Sequence, residues 1–174
     1  MSRTGSNSQS EKKGGEKVSH QKIVVLGVGN ILLSDEGVGV CVAQELMKMK
    51  LPPGVRVVEG GTEGFGLLDV ITEADRLIIV DAVKGGGAPG SIYRFDIEDL
   101  SLYPDTCKTS FHQVGIMDVL RLSGLIGKTP QATIIGVEPK SLEMSMTLSC
   151  EVSKKVPEVI ELVLREIENC TAKQ

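Results

Sequence analysis

A chain of 174 residues, 41% hydrophobic and 24% charged, has the size and makeup of one globular domain with a single core. A net charge of -4 lacks the Lys and Arg footprint that holds nucleic acid, and no Trp, two Tyr and three Phe offer no stacking platform for bases. Nothing reaches the roughly 20 consecutive apolar residues of a membrane-spanning helix, so the expectation is a cytoplasmic protein with neither a membrane nor a nucleic-acid partner, and, for want of any visible oligomerisation signal, a monomer.

In chain order, residues 1–21 are polar and rich in Gly, Ser and Lys, and read as a disordered tail. Residues 22–168 read as one α/β domain and 169–174 as a short C-terminal tail. "KIVVLG" at Lys22 to Gly27 is a buried strand running into a turn, and from Glu36 to about Met49 the apolar residues Val38, Cys41, Val42, Leu46 and Met49 recur at helical spacing until Pro52 and Pro53. A second strand fits Val55 to Val58, followed by the turn Gly60-Gly61-Thr62 and an amphipathic helix from about Phe65 to Thr72. "RLIIVDAV", Arg76 to Val83, is a strand buried on both faces that ends in a carboxylate, and the glycine-rich run Gly85 to Gly90 is a loop.

Ser91 to Phe95 fits an edge strand, Asp96 to Phe111 reads as irregular, and Val114 to Leu125 as a helix. Ala132 to Pro139 is a further buried strand. A last helix covers roughly Glu151 to Glu168, with Pro157 marking a kink or a later start. Strands alternating with helices predict an α/β three-layer sandwich, a mostly parallel twisted sheet of about five strands with helices on both faces.

The stretch Val25 to Gly39, "VLGVGNILLSDEGVG", begins like a dinucleotide-binding turn. Gly27 and Gly29 fit G-x-G-x-x-G, but the third glycine position holds Leu32, and no Gly-Lys-Ser/Thr follows to make a Walker A loop. Glu59 stands where a ribose-binding acid would, which keeps a nucleotide-binding α/β protein as an alternative; the poor glycine match weighs against a nucleotide cofactor. Ser34, Asp35 and Glu36 at a helix start have an ordinary explanation in capping, which accounts for one acid and leaves Glu36 to point elsewhere.

Asp81 ends its strand at the sheet edge where open α/β sheets bind ligands, and buried there it needs a hydrogen-bond partner, a cation or a metal. His112 follows the irregular segment just before a helix; the other histidine, His20, lies in the polar tail. Glu36, Asp81 and His112 all fall at loop ends that a parallel sheet could bring together. Two oxygens and an imidazole suit nickel, zinc, iron or manganese and leave coordination positions open. Cys41, Cys107, Cys150 and Cys170 are scattered without a C-x-x-C pair, so none is assigned a catalytic part.

These blocks together resemble the nickel-iron hydrogenase maturation endopeptidases. "VLGVGNILLSDEGVG" is similar to their signature, and Gly60-Gly61-Thr62, Asp81-Ala82, "HQVGIMDVL" from His112 and "GVEPKSLE" from Gly136 to Glu143 follow in the same order, over roughly Lys22 to Ile167. The resemblance implies a twisted sheet between helical layers. It also implies an endopeptidase that removes the C-terminal extension of a hydrogenase large-subunit precursor after nickel insertion.

Glu36, Asp81 and His112 occupy the family's metal-binding positions, and they and Asp35 are the candidate catalytic residues, the metal being nickel presented by the precursor. Asp35 is read either as a helix cap or as a proton-handling residue. The metal has two readings, part of the chemistry or only a recognition element, and a non-catalytic metal-sensing maturation chaperone is the alternative to the enzyme. No H-E-x-x-H motif is present, so the chain is not read as a zincin. Lys140, where the family often has Glu, and "MSMTLSC" after Glu143, without the usual prolines, depart from the pattern in regions bearing on substrate specificity.

Overall fold

The computed structural model describes residues 21–97 and 111–172, with the backbone alone at 111–114. The polar tail with His20, most of the irregular segment after Asp96, and Cys107 lie outside the described residues.

Five strands form one sheet: β1 (Ile23–Val28), β2 (Val55–Gly61), β3 (Arg76–Ala82), β4 (Ile92–Asp96) and β5 (Gln131–Val137). The spatial order is β2-β1-β3-β5-β4, parallel throughout except for the antiparallel edge strand β4. The helices are α1 (Val38–Met47), α2 (Leu68–Glu73), α3 (Phe111–Leu125), α4 (Cys150–Ser153) and α5 (Val156–Thr171), with 3-10 turns at Ser34–Gly37 and Gly64–Leu67. Among the described residues no helix is long and apolar enough to cross a membrane.

The strand period of two explains the layers. Ile23 and Val25 face one side of β1 and pack with Val38, Val42 and Leu46 of α1 and Val159, Val163 and Ile167 of α5. Val24, Leu26 and Val28 face the other side and pack with Ile71 of α2 and Ile116, Val119 and Leu120 of α3. Central strands covered on both faces must be apolar at every position, which is why β1 and β3 read as unbroken aliphatic runs.

Several expected boundaries move. β2 runs on through Gly61, because Val28 pairs with Gly61 and skips Gly60, and the N–H of Gly29 then donates to the Gly61 carbonyl at 2.9 Å. Pro157 starts a helix and kinks none: α4 is a short separate piece, and the proline sits in the first turn of α5, where its missing N–H costs no bond. α5 continues past Glu168 to Thr171 with Cys170 buried in the core, so residues 169–171 belong to the domain and not to a tail. α3 begins at Phe111, which puts His112 inside its first turn and not before it.

The chain leaves β1 toward β2 on one side and returns to β3 on the other, so the strand order reverses between β1 and β3. At such a reversal the flanking connections diverge and open a crevice at the strands' carboxyl ends. Two glycines set how closely α1 covers that point. A Cβ on Gly27 would run into the Gly39 carbonyl and the Ala43 Cβ, and one on Gly39 into the carbonyl oxygens of Val80 and Val28. Gly39 thus supplies the close helix-to-sheet contact that a third fingerprint glycine gives elsewhere. We expect Gly39→Ala to lower stability by about 1–3 kcal/mol or more, as overpacking against immobile backbone does. A melting temperature equal to the parent's would show that α1 has room to shift.

Candidate functional site

The turn after β1 is built around one approach. Gly29 has φ +129°, and a Cβ there would strike the carbonyl oxygen of Glu36. The room that the second glycine opens is therefore filled by this chain's own 3-10 turn and not offered to a phosphate, and Glu59 of β2 is exposed and accepts from Gln44 Nε2 at 3.3 Å. Both observations weigh against nucleotide binding. Ser34 takes φ +48°, an uncommon conformation for a residue with a side chain, and is held in it by its N–H on the Ser145 carbonyl (2.7 Å) and its Oγ on the Thr147 carbonyl (3.0 Å).

Asp35 is fully buried, and neither helix start beside it has a side-chain cap. Its Oδ2 accepts the backbone N–H groups of Lys140 (2.8 Å) and Ser141 (3.0 Å), and its Oδ1 accepts that of Ser149 (2.6 Å). The expected cap is thus replaced by a clamp: Asp35 fastens the loop after β5 to the turn after β1. With both oxygens committed to amides, it is a positioning residue on this geometry. The Asp35 N–H adds a bond to the Ser141 carbonyl at 3.2 Å, and Leu33 and Ser145 pair as a short parallel bridge.

Glu36 is 7% exposed on the same turn, which packs against β3. Asp81 is fully buried at the carboxyl end of β3, with its Oδ1 accepting the N–H of Ala82 at 2.8 Å. Gly39, three residues beyond Glu36, lies on the carbonyls of Val28 and Val80, immediately before Asp81. The two carboxylates therefore share the edge where the strand order reverses.

His112 belongs to the same end of the sheet by its backbone. Gly115 and Ile116, one turn further along α3, line a recess of about 70 Å³ with Val28, Gly61, Thr62, Gly64 and Leu67. The His112 side chain is outside the described residues, and among the described residues no three His, Cys, Asp or Glu side chains gather as a metal cluster.

One residue escapes sequence reasoning. Glu138, 8% exposed, accepts the N–H groups of Gly85 (2.7 Å) and Gly87 (3.2 Å) and the hydroxyl of Tyr93 (2.7 Å) on one oxygen, Oε2. It thereby ties down the glycine loop that follows Asp81. The only hint was its place in "GVEPKSLE", where nothing local distinguishes a buried acceptor from a surface acid. Lys140 points its ammonium at Glu151 Oε1, 2.7 Å away, and this bond holds the amine above and the carboxyl below their ordinary ranges. Of the cysteines, Cys41 is half-buried with its thiol pushed up by burial, Cys170 is buried and Cys150 is exposed.

A family model described as hydrogenase maturation protease matches residues 40–166. The hydrogenase expression/formation protein HupD of Rhodobacter capsulatus is 40% identical over 125 residues, 71% of this chain and 60% of that protein. The hydrogenase 2 maturation protease of Escherichia coli K12 is 40% identical over 147 residues, 82% of this chain and 88% of that one. The chain spans about 60% of the length of that HupD protein and of the HoxM relative from Azotobacter vinelandii. Among solved structures, the hydrogenase maturating endopeptidase HybD from E. coli superposes with a TM-score of 0.79 at 38% identity, covering 86% of this chain and 93% of that one.

Proposed function

Because the chain belongs to the hydrogenase maturation protease family, we propose that it is an endopeptidase that removes the C-terminal extension of a hydrogenase large-subunit precursor, in the cytoplasm and as a monomer. The observation that carries this reading is that Glu36 and Asp81, two buried carboxylates from distant parts of the chain, both stand at the edge where the strand order reverses. Their burial removes competing water, so a cation brought to them is held far more firmly than at an exposed acidic pair.

In this reading Glu36, Asp81 and His112 engage the nickel that the precursor carries. The donor set fits: two hard carboxylate oxygens and an imidazole suit a borderline divalent ion and leave positions for the substrate's own ligands. Once engaged, such an ion supplies Lewis acidity toward a carbonyl or a bound water beside it. The protein's own contribution is preorganisation. Gly29 lets the turn fold back so that Glu36 comes to the edge, Asp35 locks that turn to the loop after β5, and Glu138 locks the loop leaving Asp81. Locked supports of this kind keep reacting groups in position at no further entropic cost when substrate arrives.

The test is incubation of the purified protein with precursor, with and without nickel, and weighing of the products. We expect a large subunit lighter by one C-terminal peptide, formed only from nickel-loaded precursor. A precursor that stays intact while bound to the protein would instead establish a holding chaperone.

A further inference from the structure

Four apolar side chains stand in solvent beside the proposed site: Ile31 at 45% and Leu32 at 50% exposure on the turn after β1, and Met144 at 87% and Met146 at 74% on the loop after β5. The two segments are joined by backbone. The Ser145 N–H donates to the Leu32 carbonyl at 3.0 Å, the Ser34 N–H donates to the Ser145 carbonyl at 2.7 Å, and the methionines flank Ser145. Asp35 then fastens both ends of the methionine loop through Lys140, Ser141 and Ser149. Scattered exposed apolar residues need no explanation, but a grouped set held rigidly in water next to a reactive edge does.

We infer that Ile31, Leu32, Met144 and Met146 form the platform on which the precursor docks, taking up an apolar surface of the substrate that borders its nickel. The inference rests on the proposed peptidase reading. A substrate that presents a metal to Glu36 must cover the surface flanking Glu36, and Ile31 and Leu32 lie in the same turn a few residues earlier. The clamp through Asp35 makes platform and metal edge one rigid unit, so docking on the first registers the second. Methionine suits the task, since its unbranched thioether adapts to a partner without a fixed shape requirement.

The test compares the parent with the double variant Met144→Ser and Met146→Ser, in kinetics on nickel-loaded precursor and in sedimentation. A second double variant, Leu125→Ser and Ile126→Ser, alters exposed residues at the far end of α3 and serves as control. We expect KM to rise about tenfold in the methionine variant with kcat retained, the signature of lost uniform binding, and no change in the control. An unchanged KM with the parent active overturns the docking inference and leaves the peptidase reading standing. So does a parent dimer that the methionine variant dissociates, because the patch would then be covered by a second copy. A parent that neither binds nor cleaves nickel-loaded precursor overturns both.

Discussion

Glu36→Gln, Asp81→Asn and His112→Ala are each expected to abolish processing of a nickel-loaded precursor, with losses of about 10²-fold or more, the range that single positioned groups command in catalysis. The two amide substitutions preserve volume, remove the charge and exchange one acceptor oxygen for an NH₂ donor. The bond from the Ala82 N–H to Oδ1 survives in Asp81→Asn, because an amide oxygen can accept it as well as a carboxylate oxygen. His112 lies in the first turn of α3, where alanine is the best helix former, so the helix persists. Each variant should therefore retain its far-ultraviolet circular dichroism and a cooperative melt while mass spectrometry finds uncut precursor. If full cleavage survives two of the three substitutions, the assignment of this trio is wrong.

Asp35→Ala is expected to be the most destabilising change at the site, by about 3–5 kcal/mol, a large share of a typical domain's stability. Three amides that now bond one carboxylate would be stripped of their acceptor, two of them beside each other at Lys140 and Ser141. The loss should be local before it is global: hydrogen exchange should quicken over residues 140–149 while the amides of β1 and β3 stay protected. Asp35→Asn should fall between, since its single oxygen can serve one end of the loop and its NH₂ group opposes the donors at the other. Unchanged stability and loop protection, together with a shifted pH profile of kcat, would instead make Asp35 a proton-handling group.

Much of the architecture was legible because it depends on local pattern. β1, β3 and β5 are buried on both faces, and only continuous aliphatic runs satisfy that condition, so "IVVLGV", "RLIIVDA" and "QATIIGV" announce themselves. Asp81 stood out for the complementary reason: a carboxylate ending such a run must have a purpose. Boundaries were less legible. The start of α3 at Phe111 lies in a segment without strong apolar periodicity, and the end of α5 at Thr171 carries no stop signal beyond a thinning of apolar residues.

The sequence by itself determined the layered α/β plan and the glycine turn after β1, because composition and short-range periodicity carry those features; it offered Glu36, Asp81 and His112 only as candidates at loop ends, and their proposed metal role comes from the family resemblance. Only the tertiary structure decided what Asp35 and Glu138 do. Asp35 finds its partners more than one hundred residues away and Glu138 more than forty, across strands that neighbour in space and not in sequence. A buried carboxylate reads the same in sequence whether it caps a helix, holds a loop or binds a metal. The choice is made by which donors the finished fold brings within hydrogen-bonding distance, and that is a property of topology rather than of any local stretch of chain.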